Sequence, residues 1–316
     1  MNFRKPHQLG ILGMNQRNGD YVMAYNPRHL YPLVDDKMRT KELALQAGIA
    51  VPELYALIRM EHDNQKLGNY LSTLDSFVIK PAHGSGGKGI VVIESRYKDA
   101  FRKASGDVAT LDELKHHVSN ILSGMHSLGG LPDQALIEYR VQFDPVFANI
   151  SYRGVPDVRM IMFRGVPIMA MLRLPTRRSD GKANLHQGAV GVGIHLNSGV
   201  TYRGVQSNNV ILEHPDSGYR MSGLTIPHWE NLLLLAAHAY ELAPLGYLGV
   251  DIVLDEHKGP LILELNARPG LSIQVANGAG LKPRLKWIER LGSIPSSAQL
   301  RVQMAMEMLD AITDPS

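Results

Sequence analysis

Apolar positions recur along the chain at two spacings, one of three to four residues and one of two, and their alternation sets out the elements in order. Asp35 or Asp36 can cap the backbone donors of a helix whose apolar stripe includes Met38 and Leu45, and Gly48 followed by Val51-Pro52 stops it. Thr110 and Glu113 have the spacing of a capping box, and Leu111, Leu114, Val118, Ile121 and Met125 repeat behind them at helical period. A third helix is expected from Pro227 to Leu242, with Pro227 in its first turn and the run Leu232 to Ala237 buried on it.

Strand patterns surround these helices. Phe77 to Lys80 and Ile90 to Ile93 flank a glycine-rich loop and read as a hairpin-like pair. Leu136 to Val141, Val158 to Phe163 and Val166 to Leu172 follow, the last two joined at Arg164-Gly165. Gly249 to Leu254 and Leu261 to Asn266 meet through a short turn. Hairpins mixed with helices predict an α+β fold rather than a doubly wound parallel sheet. There is no internal repeat and no linker run rich in Ser, Pro or Gly.

Length and composition narrow the function. At roughly 150 residues per domain, 316 residues suggest about two domains. The net charge of +3 is too small for a protein that coats nucleic acid by bulk electrostatics, so no nucleic-acid partner is expected. The charge is uneven: between Arg140 and Lys182 there are eight basic side chains and three acidic ones, a local excess that reads either as a solvated basic face or as a cleft wall suited to a phosphate or carboxylate ligand. Cysteine is absent, which excludes disulfides, thiolate metal sites and a cysteine nucleophile, and fits a cytoplasmic protein. The longest apolar run, Leu232 to Ala237, is far below the roughly 18 residues a membrane helix requires, so no membrane insertion is expected. The first fourteen residues lack a convincing cleavage site, and no signal peptide is read.

Two stretches carry candidate chemistry. Residues 84 to 89 spell G-x-G-x-x-G, but a strand follows where a dinucleotide fingerprint opens a helix, and Gly89 stands where a Walker A loop has Ser or Thr. What remains is a flap of backbone donors with Lys80 at its base and Lys88 inside, apt for covering a polyphosphate or serving as an ordinary glycine hairpin. Asp251 and Glu264 should lie opposite one another if their strands pair, with Asn266 on Glu264's face and Leu261, Leu263 and Leu265 on the other. An all-oxygen set of this kind suits Mg2+, although scattered acids on strand surfaces are common. No H-E-x-x-H motif occurs among the thirteen histidines, and Ser85 lacks the nucleophile-elbow pattern, so neither a zinc hydrolase nor a serine hydrolase is indicated.

Taken in order, these pieces resemble the ATP-grasp fold and, within it, the RimK-like glutamate ligases. Asp36-Lys37 opening a helix that ends at Val51-Pro52 is similar to the family's first nucleotide-lysine segment, and Val78 to Pro81 with the following loop to its second lysine and phosphate flap. Leu136-Ile137-Glu138-Tyr139 resembles the hinge strand, Asp157-Val158-Arg159 with Arg173 the D-x-R and following arginine, and Asn184 to Gly188 the N-L-H-x-G loop. Asp251, Glu264 and Asn266, with Pro269-Gly270 beyond, match the metal motif. The resemblance covers roughly Asp35 to Ser272; it departs in having only about 35 residues before Lys37 and a longer stretch between Glu138 and Asp157.

The resemblance implies two α+β lobes enclosing the nucleotide, with a shortened N-terminal region. It divides the chain into an extension over 1–36, a catalytic unit over 37–290 with a flap lobe at about 70–135, and a helical tail over 291–316. ATP would be held by Lys37, Lys80, His83, Gly84, Ser85, Gly86, Gly87, Lys88, Glu138, Tyr139 and Val141. Two Mg2+ ions, replaceable by Mn2+, would sit on Asp251, Glu264 and Asn266, while Arg173, Asn184, His186 and Arg159 would act on the reacting groups. The implied activity is ATP-dependent ligation of a carboxylate to an amine through an acyl phosphate, releasing ADP and phosphate and adding glutamate or another amino acid to an acceptor. That acceptor would be an amino acid, peptide or protein offering a free carboxylate or amine, and a homo-oligomer is compatible with the fold. The alternatives are an ATP-grasp kinase or phosphotransferase and a non-catalytic nucleotide-binding regulator.

Overall fold

In the computed structural model, residues 9–84, 86–127 and 129–313 are described. The chain divides into two compact units. The smaller comprises Asp36–Glu42 and Val51–Val141; the larger takes the described residues up to Asp35, Leu43–Ala50, and those from Gln142 onward. Helix α1 (Lys37–Gln46) therefore begins in one unit and ends in the other. Every ladder is antiparallel and helices are interspersed with the sheets, giving the α+β class expected from the hairpin signals.

The smaller unit is a six-stranded sheet of β1 (Leu54–Ile58), β2 (Phe77–Pro81), β3 (Val91–Tyr97), β4 (Ala100–Lys103), β5 (Val108–Ala109) and β6 (Ala135–Glu138), in the order β1-β6-β2-β3-β4-β5. Helix α2 (Leu111–Leu122) packs Leu114, Val118 and Ile121 with Phe77, Ile79, Ile93 and Ile137 of the sheet in one buried cluster. Its capping box forms as the sequence predicts, Thr110 and Glu113 each satisfying the other's backbone donor. The helix stops sooner than expected, because Gly124 turns left-handed at φ +85°, and Met125 is left exposed. Pairing of Phe77 with Ile93 through Ile79 with Val91 leaves the glycine loop as the connection between β2 and β3.

The larger unit is a seven-stranded sheet of β7 (Asp157–Phe163), β8 (Val166–Leu174), β9 (Val190–Ile194), β10 (Thr201–Gln206), β11 (Asn209–Ile211), β12 (Tyr247–Asp255) and β13 (Gly259–Asn266). The order is β11-β10-β9-β8-β7-β12-β13. Arg164 and Gly165 both have positive φ, at +50° and +78°, which closes β7 and β8 with the two-residue turn whose twist matches its strands. Helix α3 (Trp229–Leu242) begins two residues later than its Pro227 suggests, because His228 is left-handed at φ +55°, and the indole of Trp229 donates to the Leu196 carbonyl at 2.8 Å. After the short α4 (Ser272–Asn277) and α5 (Lys282–Glu289), the final α6 (Ala298–Thr313) packs on α3 and β8. Its Arg301 is buried and donates to the carbonyls of Gly165 and Ala237.

One face assignment differs from the sequence reading. Asp251 pairs with Glu264 and Ile252 with Ile262, so Leu263 is an extra residue between them. The bulge breaks the alternation: Leu265 pairs with Val250, but Leu261 pairs with Val253 and so shares Asp251's face, while Leu263 is 36% exposed.

Candidate active site

Four charged side chains meet on one face of the larger sheet, and strand register puts them there. Asp157 and Arg159 are two residues apart on β7 and point the same way. Asp157 lies directly opposite Arg173 on β8, and Arg159 directly opposite Asp251 on β12. Arg159 donates from Nε to Asp251 Oδ1 at 2.6 Å and from Nη2 to Oδ2 at 2.5 Å. Arg173 donates from Nε and Nη2 to Asp157 at 2.5 and 2.7 Å, and its Nη2 also reaches Asp251 Oδ2 at 2.6 Å. The cluster thus balances two carboxylates against two planar guanidinium forks.

Burial is what makes this balance matter. It pushes the Asp157 carboxyl up, and with the Asp251 charge nearby it reaches about 6 despite the pull of Arg173. Burial also works against an ionised Asp251, but Arg159 and Arg173 outweigh it and hold that carboxyl below its ordinary value. On β13, Glu264 stands opposite Asp251 and Asn266 opposite Gly249. Both are half-buried, and no hydrogen bond or ion pair engages either side chain among the described residues.

The other two predicted catalytic residues belong to the same unit. Asn184 and His186 lie in a one-turn helix, Leu185–Gln187, where Asn184 Oδ1 accepts the His186 backbone N–H at 3.0 Å. The His186 side chain is exposed. Leu185 anchors the turn over β9 at Gly191, where an added Cβ would come within 2.7 Å of the Leu185 side chain.

The predicted nucleotide residues that are described all fall in the smaller unit. Lys80 and Glu138 are diagonal neighbours on β2 and β6, with Lys80 Nζ 2.6 Å from Glu138 Oε2. Lys37 Nζ donates to the Gly84 carbonyl at 2.6 Å, at the foot of the glycine loop. Gly86, Gly87 and Gly89 are left-handed, and Lys88 is exposed. Tyr139 and Val141 follow β6, where Tyr139 donates its N–H to Glu53 and Val141 is buried. Ser85 lies outside the described residues.

Sequence reasoning missed one residue of this group. Lys41 is 5% exposed, and its Nζ lies 2.8 Å from Glu138 Oε1, so a single buried carboxylate is held by two lysines. Burial of Glu138 is more than offset by Lys80 and Lys41, and its carboxyl stays below the ordinary value; burial lowers Lys41 in turn. The readable signal was its position four residues after Lys37, on the same face of α1. The expected stripe residue Leu45 is instead 60% exposed, because the inward face of α1 is formed by Thr40, Lys41 and Ala44.

The profile of the sugar-transfer associated ATP-grasp proteins matches residues 16–290, most of the chain. The protein belongs to that family. Its two antiparallel sheets are accordingly those of an ATP-grasp fold. No curated protein registers as a match to the sequence. Among solved structures, the ATP-grasp chain is similar to the ligase PsnB in complex with a minimal precursor, at 13% identity and a TM-score of 0.46, over 84% of this chain and 63% of that one. It is also similar to D-alanyl-alanine synthetase A from Vibrio cholerae O1 biovar eltor, at 12% identity and a TM-score of 0.48, over 89% and 66% of the two chains. D-cycloserine synthetase DcsG matches at 14% identity and a TM-score of 0.45, over 90% and 73%. The chain spans less than two thirds of the length of the PsnB chain it matches. No helix among the described residues is long and apolar enough to cross a membrane.

Proposed function

We propose that this ATP-grasp protein is an ATP-dependent carboxylate-amine ligase. A substrate carboxylate oxygen attacks the γ-phosphorus and ADP leaves; an amine then attacks the acyl phosphate carbon, phosphate leaves, and an amide remains. The observation that carries this reading is Arg173, whose fork lies between Asp157 and Asp251 on the face that also holds Arg159 and Glu264. A planar guanidinium binds phosphate and carboxylate equally well in two-pronged fashion, the pair of groups this chemistry must bring together.

ATP is assigned to Lys37, Lys80, Lys88 and the glycine loop with His83, because a polyphosphate requires several cations and backbone amide donors, and to Glu138 on the neighbouring strand by the resemblance of its segment to the hinge strand. Glu264 and Asn266 fit Mg2+, offering hard oxygens with no competing partner among the described residues, while Asp251, opposite Glu264, would join them by sharing oxygens that Arg159 and Arg173 now hold. Such an ion would offset charge on the phosphates during transfer. The Asn184 to Gly188 turn supports a RimK-like subtype, adding an amino acid such as glutamate to a peptide, protein or small-molecule acceptor. The need for ATP supports a cytoplasmic reaction.

Incubation with ATP, Mg2+ and panels of amino acids and peptides, with hydroxylamine present, tests the reading. A hydroxamate or amide formed with phosphate release supports it; phosphate release with neither product points to a plain ATPase, and ADP formed without free phosphate points to a kinase. Glu264→Ala should lower turnover about a hundredfold, the scale of losing one electrostatic contact to the transition state. Arg173→Lys keeps the charge but loses the fork, so activity should fall while ATP affinity persists.

A further inference from the structure

At the foot of the glycine loop, a buried carboxylate behind His83 is not used in the scheme above. His83 is the second residue after β2 and the last before Gly84. Its ring Nδ1 is 2.7 Å from Oδ1 of Asp133, whose side chain is fully buried just ahead of β6. The same carboxylate accepts the His83 backbone N–H at 3.1 Å and the Gln134 backbone N–H at 2.7 Å.

Three N–H donors on one buried carboxylate account for its desolvation without any lysine or arginine. A carboxylate only accepts, so the proton of the pair sits on His83 Nδ1, which leaves Nε2 as the free end of the ring. The ring is 44% exposed, and Nε2 is 3.7 Å from Asp36 Oδ2, beyond hydrogen-bonding distance. Lys37 Nζ meets the loop at the next residue, through the Gly84 carbonyl. His83 therefore has a fixed backbone, a fixed ring orientation and one unspent nitrogen beside a loop of backbone donors.

We propose that Asp133 is a positioning residue that fixes the ring orientation and tautomer of His83, so that Nε2, once protonated, donates to an oxygen of the bound nucleotide's phosphates. This rests on the assignment of ATP to the glycine loop. Asp133 itself touches no ligand, and its effect passes through the imidazole, as a buried carboxylate behind a histidine does elsewhere.

The test is a double-mutant cycle on nucleotide affinity, using a non-hydrolysable ATP analogue with Mg2+ and isothermal calorimetry on the full chain. His83→Asn keeps a short donor for Asp133 but has no counterpart of Nε2, so it should weaken binding about tenfold, the scale of one charge-assisted hydrogen bond. The melting temperature should stay near the wild-type value. Asp133→Asn should weaken binding similarly in the wild-type background and add little in the His83→Asn background. Nitrogen-15 spectra of the imidazole should show the Nδ1–H tautomer in the wild type and its loss in Asp133→Asn. Equal losses from Asp133→Asn in both backgrounds, or unchanged affinity in His83→Asn, would overturn the proposal. If the wild type itself binds no nucleotide, the assignment of ATP fails first, whereas binding that ignores His83 sinks this proposal alone.

Discussion

Glu138 is held from two sides, by Lys80 at 2.6 Å and Lys41 at 2.8 Å, and all three side chains are buried. Removing one partner of a buried ion pair leaves a charge with less compensation, so Lys41→Met should lower stability by about 3 kcal/mol. The pH dependence follows from the carboxylate. Its folded value is held below 4.5, so as pH falls past that point the unfolded chain takes up the proton first and stability declines. The contribution is present above 4.5 and lost below it, and Lys41→Met should blunt it. Urea unfolding of both proteins across this range should show their stabilities converging as pH falls. Lys37 and Lys80 were legible because they stand in recognisable motifs, and Asp251 and Glu264 because strand register could be counted from the turn. Lys41 was not, since a lysine within a helix pattern reads as solvated until its partner, nearly a hundred positions away, is in place.

Among the elements, β9 shows what periodicity cannot reveal. Val190-Gly191-Val192-Gly193-Ile194 is fully buried in the sheet, yet its glycines interrupt the apolar pattern and weaken any strand signal. The glycines are there because side chains from elsewhere occupy their space: Leu185 lies over Gly191, and the Tyr202 ring over Gly193. Gly191→Val should lower stability by about 1–3 kcal/mol through overpacking and displace the turn that holds Asn184 and His186. Thermal melts should register the first effect, and a raised acceptor KM with little change in nucleotide affinity the second. Helix α2 was the most legible element, since its caps and stripe are local; its early stop was not, because the Leu131 carbonyl lies where a side chain at residue 124 would go.

At the level of the molecule, the chain divides into two compact units. The smaller has its own core of Phe77, Ile79, Ile93, Phe101, Leu114, Val118 and Ile137. Phe77→Ala should therefore cost about 3–5 kcal/mol, and hydrogen exchange should quicken at amides of the smaller unit well before those of β7, β8 and β12. The fold class was readable because tight hairpins leave local signatures, while β10 carries few apolar residues and the edge strand β11 is only three residues long, too short to announce itself. The local charge excess between Arg140 and Lys182 also changes meaning, since Arg159 and Arg173 lean on Asp251, far along the sequence. The passage of α1 from one unit to the other sets a limit on recombination. A smaller unit exchanged between relatives as one continuous gene segment from Val51 to Val141 would leave behind Lys37 and Lys41, and Glu138 would then depend on whatever helix the host supplied.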